Sequence, residues 1–430
     1  MAARMTALHL ESFKSARNAT IPISPLTLLV GRNGSGKSNA LDGLAVLAAL
    51  ASGHDLRSAL DGGSDGPVVR GGADGCPPLG ESAFSLGCDI NQDGRKYQYR
   101  VKVQTSPILK ILTERLWTVR ISGPKRGDDQ DLLVTDEPRE YSADMSVRWN
   151  SGNRGVKPAV PMRADQLALT QVSTRVPAST KAGQEIHQIA QDVIAAIEAT
   201  FILDPEPHAM RSYVNEKDSY LRRDGANLSA VINRLREDSQ SRETLLRLTQ
   251  QLSEAQVSGL DTVSTQLGDV MATMKERIGG KERTVPASLM SDGTLRFLAM
   301  VSASLDFRSL DAATNRLLVV EELENGLHPS QAAVLIEHLL DQSRNGLTTV
   351  ATTHSPAILD SLSGDMHRCV IVATRDADGW SRFQRLTEFP NYFEVVSYRS
   401  LGDAAINDRL RPTANRQPSA TQALAELAGL

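Results

Sequence analysis

The loop GRNGSGKS, residues 31–38, constrains the fold of this 430-residue chain more than any other stretch. An apolar run, residues 26–30, precedes the loop, and an Ala- and Leu-rich segment compatible with a helix, residues 38–50, follows it. A strand, a glycine-rich turn and a helix in this order are what a phosphate cradle requires, because backbone N–H groups and a helix N-terminus both attract anions. The alternative is an ordinary glycine-rich turn before a helix. The spacing G-x-x-x-x-G-K-S predicts an α/β domain that binds a nucleotide.

The residue types in this loop predict how ATP and Mg²⁺ would be held. Glycine allows backbone angles that let several N–H groups point at a triphosphate. Lys37 is predicted to contact the β- and γ-phosphates, and the Ser38 hydroxyl to bind Mg²⁺. The residues predicted to bind the nucleotide are Asn33, Gly34, Ser35, Gly36, Lys37, Ser38 and Asn39.

A second apolar run, RLLVVEE at residues 316–322, ends in two carboxylates. A buried strand that ends in paired acids can place a metal ion and a hydrolytic water side by side. We therefore predict that Glu321 is a Mg²⁺ ligand and that Glu322 orients and polarises the attacking water. The alternative is a strand with a solvated acidic end.

Two further segments carry candidate site residues. The apolar run LTTVATTHSP, residues 347–356, brings His354 to the carboxyl end of a strand, where ligands bind in α/β sheets. A histidine there can donate a hydrogen bond to a γ-phosphate oxygen, although a lone histidine is more often structural. Ser291 precedes an apolar run through Leu305 as a helix N-cap, which predicts a second anion site.

Composition limits the partners and the compartment. A formal charge of -4 gives no global positive field, so any contact with nucleic acid needs a local basic patch. No run of about 18 apolar residues occurs, so we expect a cytoplasmic protein that does not enter a membrane. The three cysteines form no C-x-x-C pair, which indicates neither a zinc site nor a disulfide framework.

Periodicity along the chain predicts its organisation. Apolar residues alternate with polar ones over residues 82–147, which predicts an antiparallel β region. Residues 184–201 and 226–278 have a helical period. The predicted division is an ATP-binding core of residues 1–80 and 285–405, a β subdomain of residues 81–175, a helical insertion of residues 176–284 and a C-terminal tail of residues 406–430.

Taken in order, these motifs resemble the head of an ABC-type ATPase from the branch that contains the structural-maintenance-of-chromosomes (SMC), RecF and OLD-like ATPases. The chain is most similar to the standalone bacterial AAA/ABC-hybrid ATPases of phage-defence operons, without a C-terminal nuclease domain. Residues 81–280 match only in general layout. The resemblance implies an α/β P-loop NTPase with a mixed sheet, an antiparallel β subdomain and a helical signature subdomain. It is carried by LESFKS, the phosphate loop, the signature MSDGTLRFLAM, the acidic segment VVEELENGLHPSQ and the switch-histidine region TTHSPAILD.

The resemblance also implies an assembly. Two such heads form a head-to-tail sandwich around two ATP molecules, so the chain is expected to be a homodimer, with a stack of such dimers in a higher oligomer as the alternative. Ser291 and Gly293 would contact the γ-phosphate bound by the partner. Asn325 and His328 would reach across the interface.

The sequence departs from the family pattern at several positions. Asp292 stands in the signature where transporters have glycine, Leu323 replaces a proline, and Glu321 stands where aspartate is common. For the glutamine that usually approaches the metal, Gln166 and Gln171 are both candidates.

Several functions stay open at this point. The first is a sensor ATPase that controls a separately encoded effector, a nuclease or toxin, in antiphage defence. The alternative is a RecF- or SMC-like ATPase that binds DNA in repair or recombination; a non-hydrolysing scaffold and a transporter ATPase are less consistent with the motifs. Charged strands are more often a solvated face, but the candidate nucleic-acid contacts are Arg95, Lys96, Arg100, Lys102, Arg120, Lys125, Arg126, Arg222 and Arg223.

Overall fold

The computed structural model describes residues 3–62, 69–119, 129–136, 142–252, 256–306, 316–393, 396, 400–406 and 410. Within these ranges the chain forms three sheets flanked by helices. No helix in the described part of the chain is long and apolar enough to cross a lipid bilayer.

A six-stranded mixed sheet lies at the centre of the molecule. Its strands are parallel except for the last, which pairs antiparallel with its neighbour. Several of these strands are buried along their whole length, as expected for a sheet covered on both faces. In spatial order the strands are β10 (Thr200–Leu203), β15 (Arg316–Val320), β16 (Leu347–Thr353), β3 (Leu26–Val30), β17 (Val370–Arg375) and β18 (Ser381–Arg385).

An eight-stranded antiparallel sheet packs beside the central sheet, which confirms the antiparallel region predicted from alternation. In its fourth strand, Arg95–Gln104, side chains alternate between the core and the solvent. Two strands from residues 4–22 also belong to this sheet. In spatial order it contains β2 (Ala16–Pro22), β1 (Arg4–Phe13), β4 (Ala83–Gln92), β5 (Arg95–Gln104), β6 (Lys110–Val119), β7 (Gln130–Thr135), β8 (Asp144–Trp149) and β9 (Ala159–Arg163).

A four-stranded antiparallel sheet corrects one prediction. The helical period assigned to residues 226–278 holds only for its first half, because residues 256–278 form strands. The strand Asp269–Ile278 is buried at five consecutive positions, which masks the alternation that a strand normally shows. The sheet contains β11 (Val214–Asn215), β12 (Gln256–Ser264), β13 (Asp269–Ile278) and β14 (Lys281–Pro286).

Helices pack against both faces of the central sheet. The helix predicted after the phosphate loop and the helix predicted at residues 184–201 are both confirmed within a few residues. The α-helices that lie wholly within the described ranges are α1 (Lys37–Ala51), α2 (Leu56–Asp61), α3 (Ala168–Arg175), α4 (Lys181–Glu198), α5 (Leu228–Leu235), α6 (Ser239–Leu252), α7 (Asp292–Asp306), α8 (Pro329–Ser343), α9 (Pro356–Ser361) and α10 (Leu401–Ile406).

The central sheet separates two hydrophobic cores. Alternate residues of one strand enter different cores: Leu317 and Val319 face α1 and the eight-stranded sheet, whereas Leu318 and Val320 face α7 and α8. Because the middle strands are parallel, their carboxyl ends meet at one edge of the sheet. The phosphate loop, the paired acids and His354 all follow strands that end at this edge.

Candidate active site

The phosphate loop connects β3 to α1, as the spacing predicts. Gly36 caps the helix in a left-handed conformation with φ 105°, and Gly34 is also left-handed with φ 77°. A Cβ atom on Gly36 would lie 2.1 Å from Oγ of Ser381. Only glycine therefore fits at position 36 without displacing its neighbour.

The β17–β18 hairpin holds the outer side of this loop. Nε of Arg375 donates a hydrogen bond to the Gly34 carbonyl over 2.7 Å, and Oγ of Ser381 donates to the Ser35 carbonyl over 2.8 Å. The carbonyl and N–H of one trans peptide unit point in opposite directions, so the second bond aims the Gly36 N–H away from the hairpin. No sequence signal indicated these two residues, because they lie more than 300 positions from the loop.

Lys37 lies inside the arch of the loop. Its ammonium donates to the carbonyls of Gly31 and Arg32 over 2.7 Å and 3.2 Å. Burial lowers the pKa of Lys37, while the carboxylates of Glu322, Glu324 and Glu321 act in the opposite sense. A cation whose hydrogen bonds to described residues go to neutral carbonyls, with carboxylates nearby, fits a site for a polyanion and its metal.

The loop contains one further polar atom suited to a ligand. Oγ of Ser35 is buried and has no hydrogen-bond partner among the described residues. A buried hydroxyl without a partner costs free energy unless a ligand or water satisfies it. Together with the glycine cradle and Lys37, this atom makes the loop fit a triphosphate.

The two residues predicted to bind Mg²⁺ are in direct contact. Oγ of Ser38, in the first turn of α1, donates a hydrogen bond to Oε1 of Glu321, which follows β15. Hydroxyl and carboxylate oxygens are ligands that Mg²⁺ prefers, with phosphate oxygens and water completing its octahedron. The pair fits the ion, and its role as a Mg²⁺ site stays a prediction.

Glu322 adopts an unusual backbone conformation beside this pair. Its φ of 50° is left-handed, which is rare for a residue other than glycine and is concentrated at functional sites. Its backbone N–H donates to Oγ1 of Thr352 over 2.8 Å, and Oε2 accepts a hydrogen bond from Nδ2 of Asn325 over 2.5 Å. The turn aims the carboxylate away from the strand, with 43% of the side chain exposed.

His354 lies next to two acidic side chains. Its Nδ1 is 3.1 Å from Oε1 of Glu324 and 4.0 Å from Oε1 of Glu322. The backbone N–H of His354 also donates to Glu324, over 2.6 Å. When Nδ1 donates to Glu324, Nε2 of the ring is left for another partner.

Sequence reasoning missed Glu324. Its side chain is 12% exposed, and its second carboxylate oxygen is buried with no partner among the described residues. No sequence motif marks the position two residues after the paired acids. A further acid in the segment ELENG is equally typical of a solvent-exposed turn. The structure shows that this acid orients the histidine.

The signature segment forms a capped helix start, as predicted. Oγ of Ser291 accepts a hydrogen bond from the backbone N–H of Thr294 over 3.1 Å. A Cβ atom on Gly293 would lie 2.0 Å from the Gly326 carbonyl oxygen, so close packing requires glycine here. The segment after the paired acids therefore packs directly against the signature helix.

Neither glutamine proposed for metal contact approaches the phosphate loop. Gln171 is 7% exposed and exchanges hydrogen bonds with the backbone of Arg163, which is a structural role. Gln166 donates to the carbonyl of Gly53, just past the far end of α1 and roughly 20 Å from the loop at 1.5 Å per helical residue. The structure therefore places neither candidate beside the phosphate loop.

A cleft of about 510 Å³ opens beside the first half of the loop. His354 and Arg375 line it together with apolar side chains of β17, α9 and α10. Asn33, Gly34 and Ser35 lie on its wall. Three of the predicted loop residues and the switch histidine thus line one cleft, whereas residues 36–39 do not line it.

A phosphate loop in a mixed sheet, paired acids on a neighbouring strand and a capped signature helix define an ABC-type P-loop ATPase of the SMC/RecF branch. Within this class, the chain belongs to the family described as "AAA domain, putative AbiEii toxin, Type IV TA system", whose model matches residues 26–360. The match covers the phosphate loop, the signature, the acids and His354.

Relatives and solved structures are similar to the chain over most of its length. The "DNA replication and repair protein RecF" of Myxococcus xanthus (strain DK1622) is 25% identical over 406 residues, covering 87% of this chain and 98% of that protein. The SMC head domain from Thermotoga maritima is 14% identical with a TM-score of 0.41, covering 89% and 98% of the two chains. An SMC head bound to the C-winged helix domain of ScpA is 13% identical with a TM-score of 0.46, covering 89% and 97%.

Proposed function

We propose that this protein binds and hydrolyses ATP in a head-to-tail dimer and that its nucleotide state controls a separately encoded effector. The contact between Ser38 and Glu321 carries this proposal, because it brings a hydroxyl and a carboxylate together at the edge where Lys37 lies. Ser38 and Glu321 would hold Mg²⁺ at this edge.

The chain's own residues divide the work of hydrolysis. The loop residues 33–39 would bind the phosphates, and Ser38 and Glu321 would hold Mg²⁺, which would supply charge neutralisation there. Glu322 accepts the proton of the attacking water, and His354, oriented by Glu324, donates to the γ-phosphate.

The dimer explains the second anion site. Ser291 and Gly293 begin a helix whose N-terminus favours a phosphate, while each chain already has a complete loop for its own nucleotide. In a head-to-tail pair this helix would face the γ-phosphate of the partner. Contacts to the γ-phosphate exist only before hydrolysis, so the closed dimer is a nucleotide-dependent switch.

A defence role is supported by the family description, which names a putative toxin of a type IV toxin–antitoxin system. We propose that the effector is a nuclease or a toxin encoded beside this chain. Plating efficiency of phage on cells carrying the gene with its neighbours tests this role. The proposal requires protection by the wild type and loss of protection in Lys37→Ala; equal plating on both strains contradicts it.

A DNA-binding ATPase of repair or recombination is the second candidate, favoured by the similarity to the Myxococcus RecF protein. Four of the six described cations proposed to contact nucleic acid have an acidic partner, and two of these four share the single carboxylate of Asp89. Lys96 and Arg100 both lie near Asp89, at 3.0 Å and 3.5 Å, and Arg95 lies 3.7 Å from Glu185. Arg120, Lys125 and Arg126 lie outside the described residues. This pairing weighs against a strong basic groove on the described part of the β sheet.

One experiment separates the two candidates. Turnover of ATP is measured with and without double-stranded DNA, and the mass of Glu322→Gln is determined in ATP. Slow ATP turnover that does not change when DNA is added, together with an ATP-dependent dimer, supports an ATPase that controls a separate effector. Stimulation by DNA, lost at higher salt, supports the second candidate. A Glu322→Gln variant that stays monomeric in ATP contradicts the dimer itself.

A further inference from the structure

Arg211 ties the signature helix to the segment that follows β10. Its Nη2 donates hydrogen bonds to the Met290 carbonyl over 2.9 Å and to Oδ1 of Asp292 over 2.6 Å. Met290 and Asp292 flank Ser291, the residue that caps α7. One guanidinium therefore fixes both the backbone before the cap and the acid after it.

Asp292 poses an electrostatic problem for an anion site. It is the first residue of α7, and 68% of its side chain is exposed. A helix N-terminus attracts a phosphate, but a carboxylate at the first position repels one, and this repulsion grows when water is excluded. Arg211 is the cation in contact with this carboxylate in the described structure, with 30% of its side chain exposed.

The position of Arg211 also connects the signature to the hydrolytic edge of the sheet. Strand β10 pairs in parallel with β15, with Leu203 beside Val320, the residue before Glu321. The chain leaves the sheet there and reaches Arg211 eight residues later. The segment thus runs from the edge that carries the paired acids to the start of α7.

We infer that Arg211 is a positioning residue that neutralises Asp292 and fixes the signature turn, so that the turn can accept the γ-phosphate of a partner's nucleotide. This inference rests on the proposed sandwich dimer. Transporters have glycine at the position of Asp292. The salt bridge to Arg211 offsets the negative charge that Asp292 adds there.

The test is a double-mutant cycle on dimerisation in ATP, in the Glu322→Gln background. Arg211→Gln leaves the Asp292 carboxylate unpaired against a phosphate and should raise the dimer dissociation constant roughly tenfold. Asp292→Asn removes both the repulsion and the need for a cation. Its dimer dissociation constant should therefore stay within about twofold of that of the Glu322→Gln background. The dissociation constant of the double variant should return to within about threefold of that of Asp292→Asn. If Arg211 had a purely structural role, the double variant would dimerise as weakly as Arg211→Gln.

Arg148→Gln is the matched control, because Arg148 forms a 2.6 Å ion pair with Asp136 on the eight-stranded sheet. It should leave the dimer dissociation constant unchanged. Normal dimerisation of Arg211→Gln, or a double variant as weak as Arg211→Gln alone, would overturn the inference. Failure of the Glu322→Gln background itself to dimerise would instead refute the proposed sandwich.

A second readout on the monomer does not depend on the sandwich. Loss of the bond to the Met290 carbonyl should speed hydrogen exchange at the first amides of α7 in Arg211→Gln, relative to Arg148→Gln. Exchange at equal rates in the two variants would show that Arg211 does not fix the turn.

Discussion

Asn325 holds Glu322 through a hydrogen bond of 2.5 Å from its side-chain amide to Oε2 of the acid. The family resemblance led us to expect Asn325 and His328 at a subunit interface. In the chain itself both side chains already have partners, since Nδ1 of His328 lies 2.9 Å from Oγ of Ser330 at the start of α8. Their contact across an interface stays a prediction, whereas their local roles are to fix the acid and to cap a helix.

Asn325→Ala should slow hydrolysis without weakening ATP binding. The amide fixes one carboxylate oxygen of Glu322, so its loss should lower kcat roughly tenfold and leave the Kd for ATP within about twofold. Steady-state turnover and ATP titration measure the two effects. Asn345→Ala, at the end of α8 and bonded only weakly to Gln342, is the control that should leave both unchanged. Unaltered kcat in Asn325→Ala would show that the hydrogen bond does not orient the base.

Lys37→Ala should abolish detectable binding of ATP. The ammonium lies within 2.7 Å and 3.2 Å of two loop carbonyls, and the variant removes the cation that would meet the β- and γ-phosphates. Titration with a fluorescent ATP analogue measures the loss. Lys102→Ala removes an exposed cation on the eight-stranded sheet and should bind normally. Normal affinity in Lys37→Ala would take this residue out of the site.

Gly36→Ala and Gly34→Ala separate crowding from backbone strain. Both glycines are left-handed, but a Cβ at position 36 meets Ser381 at 2.1 Å, whereas nothing lies within 4 Å of a Cβ at position 34. Gly34→Ala should cost only the strain of about 1–2 kcal/mol and still bind ATP. Gly36→Ala should lose ATP binding and unfold at a lower temperature. Equal behaviour of the two variants in thermal melts and ATP titration would exclude a special role for the contact with Ser381.

The sequence predicted the elements that depend on residues close together in the chain. Strand β3 was predicted at residues 26–30 and observed there, because its apolar run and the glycine loop determine the local structure. The acids after β15 and the histidine after β16 were placed correctly because parallel strands must end at one edge.

The sequence did not predict contacts between segments that are far apart in the chain. Ser381 supports the phosphate loop from 345 positions beyond Gly36, a contact that only the folded hairpin creates. The strands β12 and β13 were read as helical because a bulge between Val257 and Gly259 breaks their alternation. Five consecutive buried residues in β13 also fit a buried helix.

Glu114 makes stability depend on pH from outside the nucleotide site. This carboxylate is 1% exposed and accepts hydrogen bonds from Tyr99 (2.9 Å) and from the backbone N–H groups of Ala168 (2.6 Å) and Leu169 (2.8 Å), at the start of α3. Burial raises the pKa of Glu114 from 4.5 to about 7, although these hydrogen bonds act in the opposite sense.

The sign of the pH effect follows from that shift. Because the folded pKa lies above the unfolded one, the group favours the folded state fully below about pH 4.5, and this contribution is lost as the pH rises through about 7. The difference in unfolding free energy between the wild type and Glu114→Gln should therefore move by about 3 kcal/mol against the wild type between pH 5 and pH 8. Urea unfolding of the two proteins at the two pH values measures it. A difference that is the same at both pH values would mean that Glu114 titrates near its ordinary pKa, with its three hydrogen bonds offsetting the cost of burial.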